Sequence, residues 1–253
     1  MGFRAKVKDM LPAPVRDFVQ RCRYFGLVEP MRTVRGDSLL SYLNLFFLQE
    51  LAQRLAAENL RGDIVECGVY RGGSAGVLAY ELLRDPTPRH LWLYDAFAGM
   101  PPAGANDDTK AQQIEGQFVG SDTQTRRILR RIGLPKERYD ICVGWFDQTF
   151  PAAPRVPLAL LHVDCDFYAS VQLTLARFYP DVVPGGYVVL NDYGSFEGCR
   201  RATDEFIASL PERPSMTQID RDAWFFRKET PWPDAVEPGT ADERNRRFSP
   251  GDR

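Results

Sequence analysis

The chain has 253 residues, 44% of them hydrophobic, with 32 Lys and Arg set against 34 Asp and Glu for a net charge of −2. That length suits one large domain with appendages, and the near balance of charge excludes a global attraction to nucleic acid or to an anionic membrane. No apolar run is long enough to span a bilayer, and the N-terminus MGFRAKVKDMLPAP lacks the apolar core of a secretory signal.

Residues 1–37 carry prolines and scattered aromatics and predict short helices and loops. From Ser38, a candidate cap, SLLSYLNLFFLQELAQRLAAENL has helical apolar spacing. DIVECGV (63–69) reads as a first strand, GGSAGVLAYELL (72–83) as a helix and HLWLYDAF (90–97) as a second strand. The loop that follows, rich in Gly, Pro and Asp, is long enough to be a lid. DTQTRRILRRIGL (122–134) predicts a helix, YDICVGW (139–145) a third strand, and VPLALLHVD (156–164) a fourth. Then come a helix (170–182), a fifth strand GGYVVLND (185–192), a helix (199–210) and a hairpin (216–229). Alternating strands and helices predict an α/β fold with a mostly parallel sheet covered on both faces, closed by an antiparallel hairpin. The expected organisation is an N-terminal helical or lid segment (1–60), a catalytic domain (61–229) and a polar, flexible tail (230–253).

Five cysteines, Cys22, Cys67, Cys142, Cys165 and Cys199, form no CxxC pair. Cys67, Cys142 and Cys165, in or beside apolar strand-like runs, read as small buried hydrophobes in a reducing compartment, so a cytoplasmic location is expected. His90 and His162 are the only histidines, too few for a His-based metal site or a Ser–His–Asp triad.

The segment ECGVYRGGSA (66–75) joins the first strand to its helix. Gly68 and Gly72 allow a tight turn and close backbone approach to a ligand, and Tyr70 and Ser74 complete the candidate set. GxGxxG spacing is absent, and Glu66 at the strand end would repel a pyrophosphate while suiting an amino group or ribose hydroxyls. This points away from NAD and towards S-adenosylmethionine. Asp95 ends the second strand, where an acid commonly grips an adenosine ribose; the plainer reading is a turn cap. Trp145 and Phe146 are candidates to flank an adenine, or else core packing.

Strand four ends in Asp164-Cys165-Asp166 and strand five in Asn191-Asp192-Tyr193. In a parallel sheet both ends lie on one edge and converge as an oxygen-rich cluster. Hard oxygen ligands suit magnesium or manganese, and a divalent ion would lower the pKa of a bound hydroxyl. The bland alternative is that these acids cap helices or pair with Arg200 or Arg201.

Six blocks, GDIVECGVYRGGSA, YDAFAGMPP, GWFDQTFP, HVDCDFYAS, FYPDVVPGGYVVLNDYG and ATDEF, resemble the macrocin O-methyltransferase family in order from about residue 62 to 206. The resemblance implies a class I methyltransferase fold, S-adenosylmethionine as methyl donor and a magnesium ion held by three acidic positions. Those positions fall on Asp166, also the implied general base with Asp164 as its neighbouring alternative, and on Asn191 and Asp192. Asn191 departs from the family's Asp; its amide oxygen can bind the ion, but one negative charge is lost. The remaining cofactor contacts would come from Glu66, Gly68, Tyr70, Gly72, Ser74, Asp95, Trp145, Phe146 and Asp164. The implied acceptor is a hydroxyl of a sugar or glycosylated natural product, with no nucleic-acid or membrane partner and a homodimer or higher homo-oligomer as the assembly. A catechol-type acceptor and a non-catalytic S-adenosylmethionine-binding module are the other readings.

Overall fold

The computed structural model describes residues 28–231. The expected N-terminal helices before residue 28, Cys22 and the tail beyond residue 231 lie outside the described residues.

Seven strands form one sheet in the order β3-β2-β1-β4-β5-β7-β6. The parallel strands are β1 (Asp63–Cys67), β2 (Leu91–Asp95), β3 (Tyr139–Val143), β4 (Leu158–Val163) and β5 (Val182–Leu190). β6 (Thr217–Gln218) and β7 (Trp224–Arg227) are antiparallel, with β7 paired to β5 through Leu190↔Trp224. All six residues of β4 are buried, as expected of a central parallel strand covered on both faces.

Alternate side chains feed two cores. Val65, Leu161, Val163, Val188 and Leu190 pack towards Val171, Leu175 and Phe178 of α6 (Tyr168–Phe178) and Ala202 of α7 (Glu197–Ser209). Ile64, Leu93, Leu160 and Val189 pack on the other face. Their partners are Leu48, Leu51 and Leu55 of α1 (Tyr42–Ala57), Ala75, Leu78 and Leu82 of α2 (Gly73–Leu82), and Leu129 of α4 (Asp122–Ile132). Each fully buried leucine contributes about 1.5–3 kcal/mol, so the two sandwiched layers hold the sheet rigid beneath its loops.

Several boundaries move for local reasons. Helix α1 is capped by Ser41, whose Oγ accepts from Asn44 N; Ser38 Oγ accepts from Leu40 N, before the helix. Helix α6 stops at Phe178, a 3₁₀ turn follows, and β5 begins at Val182, ahead of the glycines expected to open it. The long loop after β2 contains a short helix, α3 (Thr109–Gln113), capped by Asp108 Oδ1 at Ala111 N. A second short helix, α5 (Phe146–Thr149), follows β3. Cys67, Cys165 and Cys199 are buried, Cys142 is half-buried, and all four are free thiols. Among the described residues no helix is long and apolar enough to cross a membrane.

The chain runs outwards from β1 through β2 to β3, then returns to place β4 on the other side of β1. At that reversal the loops leaving β1 and β4 diverge to opposite faces, which opens a crevice at the carboxyl ends of the strands.

Candidate active site

The crevice is a cavity of about 590 Å³, within the roughly 300–1,000 Å³ common for small-molecule sites. Its inner wall is the turn between β1 and α2. Gly68 has φ +93°, and a Cβ there would lie 1.7 Å from the carbonyl oxygen of Asp164. Only glycine lets the ends of β1 and β4 approach this closely. Asp164 N donates to Cys67 O and Gly68 N to Tyr94 O, both at 2.9 Å, so the turn is fastened to strands on both sides.

Asp95 fastens it again. Its Oδ2 accepts from Val69 N at 2.7 Å and Tyr70 N at 2.8 Å, and its Oδ1 accepts from Phe97 N at 2.6 Å. The capping role is therefore present. Asp95 also lines the cavity, and a carboxylate has about four acceptor positions, so one position on Oδ1 remains for a further donor. Tyr70 and Phe97 both sit at φ +53°, a conformation that costs a non-glycine residue about 1–3 kcal/mol. The carboxylate bonds hold it in place.

Gly68, Tyr70, Ser74, Trp145 and Phe146 line the cavity with Asp95. Trp145 precedes α5, and Phe146 stacks on Phe150 at 4.6 Å, so its ring serves core and cavity together. Two expected cofactor residues stand elsewhere. Glu66 faces His162 across β1 and β4; its Oε1 meets His162 Nδ1 at 2.9 Å with both side chains wholly buried. Burial opposes a charge on that imidazole, but the bond to Glu66 and its charge outweigh it and raise the His162 pKa. Glu66 is thus directed into the sheet and is not among the lining residues. Gly72 is also set back: it caps α2 at φ +90°, where a Cβ would lie 2.8 Å from Thr125 Cα.

The acids after β4 and β5 do converge. Asp164, Asp166, Asn191 and Asp192 line the same cavity. The Asp164, Asp166 and Asp192 carboxyls stand close enough for their charges to act on one another, and Asp192 Oδ2 is buried without a hydrogen-bond partner. Burial pushes Asp164 up to about 7 and Asp166 up to about 6. Burial, then the charges of Asp166 and Asp164, pushes Asp192 well above the usual carboxylate range. The three acids therefore hold protons more tightly than free carboxylates do. Asp166 has φ +54°, a left-handed turn that Asp tolerates better than most residues. Arg200 instead bonds Tyr193 O, and Arg201 pairs with Glu205, so neither neutralises the cluster. Asn191 Oδ1 accepts from Asn44 Nδ2 of α1 at 3.1 Å.

Among the described residues no group of three or more His, Cys, Asp or Glu side chains stands ready-made as a metal site. The donor chemistry nonetheless suits a hard cation: oxygen ligands only, partly dehydrated, with Asp192 Oδ2 lacking a partner.

Three further lining residues escape sequence reading: Asn44, Asp107 and Lys110. Asn44 left one trace, a polar residue on the apolar face of a predicted helix. Asp107 and Lys110 fall in a segment read from sequence as a loop, whose short helix α3 gives no periodicity to assign them.

Residues 17–228 match the family described as Macrocin-O-methyltransferase (TylF). The chain is 34% identical over 200 residues to demethyldecarbamoylnovobiocin O-methyltransferase of Streptomyces niveus, covering 76% of each chain. It is 30% identical over 200 residues, again 76% of each chain, to 8-demethyl-8-(2,3-dimethoxy-alpha-L-rhamnosyl)-tetracenomycin-C 4'-O-methyltransferase of Streptomyces olivaceus. The solved structure of the O-methyltransferase NovP superposes with a TM-score of 0.72 at 31% identity, over 78% of this chain and 84% of that one. A class I methyltransferase sheet, a glycine turn and an acidic crevice at its reversal point all agree with these matches. The chain belongs to the macrocin O-methyltransferase (TylF) family and is an S-adenosylmethionine-dependent O-methyltransferase.

Proposed function

We propose that the chain methylates a hydroxyl of a sugar carried by a glycosylated natural product, with magnesium bound by Asp166, Asn191 and Asp192 and with Asp166 as general base. The observation that carries this reading is the convergence of Asp164, Asp166, Asn191 and Asp192 on the cavity beside the glycine turn. The rhamnosyl group in the name of one relative supports a sugar hydroxyl as acceptor.

Each residue's task follows from its position. The Gly68–Ser74 turn gives the methyl donor a close backbone surface, and Oδ1 of Asp95 has the acceptor capacity to take a ribose hydroxyl. Tyr70, Trp145 and Phe146 offer aromatic surface to an adenine. Asp164, next to the turn, faces the methionine portion. S-adenosylmethionine supplies an electrophilic methyl group on a sulfonium. Magnesium, when bound, supplies positive charge that lowers the pKa of a neighbouring hydroxyl. Asp166, which lines the cavity beside Asp192, accepts the acceptor's proton. Holding donor and acceptor in line contributes a large share of the rate.

The test is calorimetric titration of S-adenosylhomocysteine into the protein, with magnesium and with chelator, repeated on Asp95→Ala and Asp166→Asn. Binding lost in the first variant and kept in the second, with turnover on glycosides falling roughly 10²–10⁴-fold in the second, is the expected pattern. Absence of S-adenosylhomocysteine binding to the unmodified chain would overturn the reading.

A further inference from the structure

We infer that Asp107 is a positioning residue: its carboxylate, brought in by the loop after β2, fixes the two acid-bearing turns of the crevice against each other. This rests on the reading above that acids of both turns act together on the acceptor, and it concerns what holds them in place.

The first observation is a missing cap at each turn. The turn carrying Asp164 and Asp166 runs into α6, and the turn carrying Asn191 and Asp192 runs into α7. Both helices begin after a phenylalanine, Phe167 and Phe196, and neither receives a side-chain bond from that residue. A phenyl ring offers no acceptor to the free amides of a first turn, where Ser, Thr, Asp or Asn commonly supplies one. Both rings are buried, with centroids 6.3 Å apart, so the two helix starts meet through hydrocarbon.

The second observation is that the acceptors come from one distant segment. Tyr168 N, the first amide of α6, donates to Asp107 Oδ1 at 2.7 Å across 61 residues of sequence. Glu197 N, the first amide of α7, donates to Asp108 Oδ2 at 3.2 Å across 89 residues. Each carboxylate turns its other oxygen to its own loop: Asp107 Oδ2 accepts from Gly104 N at 2.8 Å, and Asp108 Oδ1 accepts from Ala111 N at 2.9 Å. Both helix starts are thus tied to a folded piece of loop, and the helix dipoles favour the negative charge placed there.

The third observation is close approach. A Cβ at Gly198 would lie 2.0 Å from Asp107 Oδ1 and 2.9 Å from Tyr168 N. The Asp107 carboxylate is therefore bonded to the start of α6 and pressed against the start of α7, with no room for a methyl group between. Lys110 adds a further tie by donating to Ser195 O at 3.1 Å. The same loop begins just after Asp95, which fastens the glycine turn, and it lines the cavity at Met100, Gly104 and Asp107. One continuous segment runs from the donor side of the crevice to the acids. What Asp107 sets is the spacing of the two turns, and with it whether Asp166, Asn191 and Asp192 can act on one ion or one hydroxyl.

The experiment compares the full chain with Asp107→Ala, Asp107→Asn and Gly198→Ala. Asn keeps an oxygen that can accept from Tyr168 N, while Gly198→Ala displaces the carboxylate from the other side. Amide hydrogen exchange is measured on each, with calorimetric titrations of magnesium chloride and of S-adenosylhomocysteine and with turnover on 4-nitrophenyl α-L-rhamnoside. In Asp107→Ala and Gly198→Ala, exchange should quicken at both turns, residues 164–168 and 191–197. Magnesium binding should weaken roughly tenfold, and kcat at saturating acceptor should fall roughly tenfold or more. S-adenosylhomocysteine affinity should be unchanged, and Asp107→Asn should restore the magnesium affinity and most of kcat. Faster exchange confined to Tyr168, with magnesium affinity and kcat unchanged, would overturn the inference and leave Asp107 an ordinary cap. Absence of turnover or of magnesium binding in the unmodified chain would strike the proposed function instead, while the exchange pattern at the two turns would still decide the role of Asp107.

Discussion

Gly68 and Asp164 meet backbone to backbone where β1 and β4 leave the sheet, with room for a hydrogen atom and nothing larger between them. Gly68→Ala combines a forced left-handed backbone with a steric clash against a main-chain carbonyl. Stability should fall by roughly 2 kcal/mol or more, seen as a lower urea midpoint. S-adenosylhomocysteine affinity should fall with it. An alanine variant with unchanged midpoint and affinity would show that the turn has slack.

The raised carboxyl pKa values of Asp164, Asp166 and Asp192 set a pH dependence. Their folded pKa values are raised, so between about pH 4, the ordinary carboxylate value, and about pH 7 the folded chain binds more protons than the unfolded one. Stability therefore falls as pH rises through that window. In chelator, the melting temperature should drop between pH 4 and pH 7, and Asp192→Asn should flatten the drop. Added magnesium should stabilise most at the upper end. A chelated protein that gains stability over this range would contradict the raised pKa values.

Glu66 separates a structural role from a cofactor role. Glu66→Gln keeps the shape but removes the charge paired with His162 across two central strands. Breaking one side of a buried pair should cost about 3–5 kcal/mol, while S-adenosylhomocysteine affinity of the folded protein should change less than threefold. Calorimetry beside a denaturant titration distinguishes the two. A large affinity loss at unchanged stability would return Glu66 to the cofactor site.

Asn44→Leu tests the bridge from α1 to Asn191. It removes the one hydrogen bond seen to Asn191 Oδ1 and leaves that buried acceptor without a donor, at a cost of about 1–3 kcal/mol. The turnover of Asn191→Asp, which restores the family's residue, should respond to Asn44 as well. Additive effects in the double variant, measured by urea midpoint and turnover, would show the two sites to be independent.

The sheet was legible because its strands are short apolar runs separated by glycines and charged helices; β4, buried on both faces, is the plainest. The convergence of Asp164, Asp166, Asn191 and Asp192 was legible for the same reason, since parallel strands deliver their last residues to one edge. Glu66 was read as a cofactor contact from its place at the strand end, while its side chain is wholly buried and pairs with His162 across β1 and β4. That distinction depends on register between β1 and β4, which no local pattern encodes. Asp107, Asp108 and Lys110 were hidden for another reason: a loop has no period, so which of its charges reaches a helix start is decided only by packing.

Asp166 combines a left-handed backbone with a partly buried carboxyl whose pKa is raised, and both features weaken the fold. Replacing it by Asn, which accepts that backbone and carries no charge, should leave a sturdier protein and, if the proposed role of Asp166 as base holds, one with lost turnover. Heat resistance and chemistry thus pull this position in opposite directions. On the proposed role, a screen for thermal robustness alone would select inactive variants here first, and a library intended to harden the enzyme would hold residue 166 fixed.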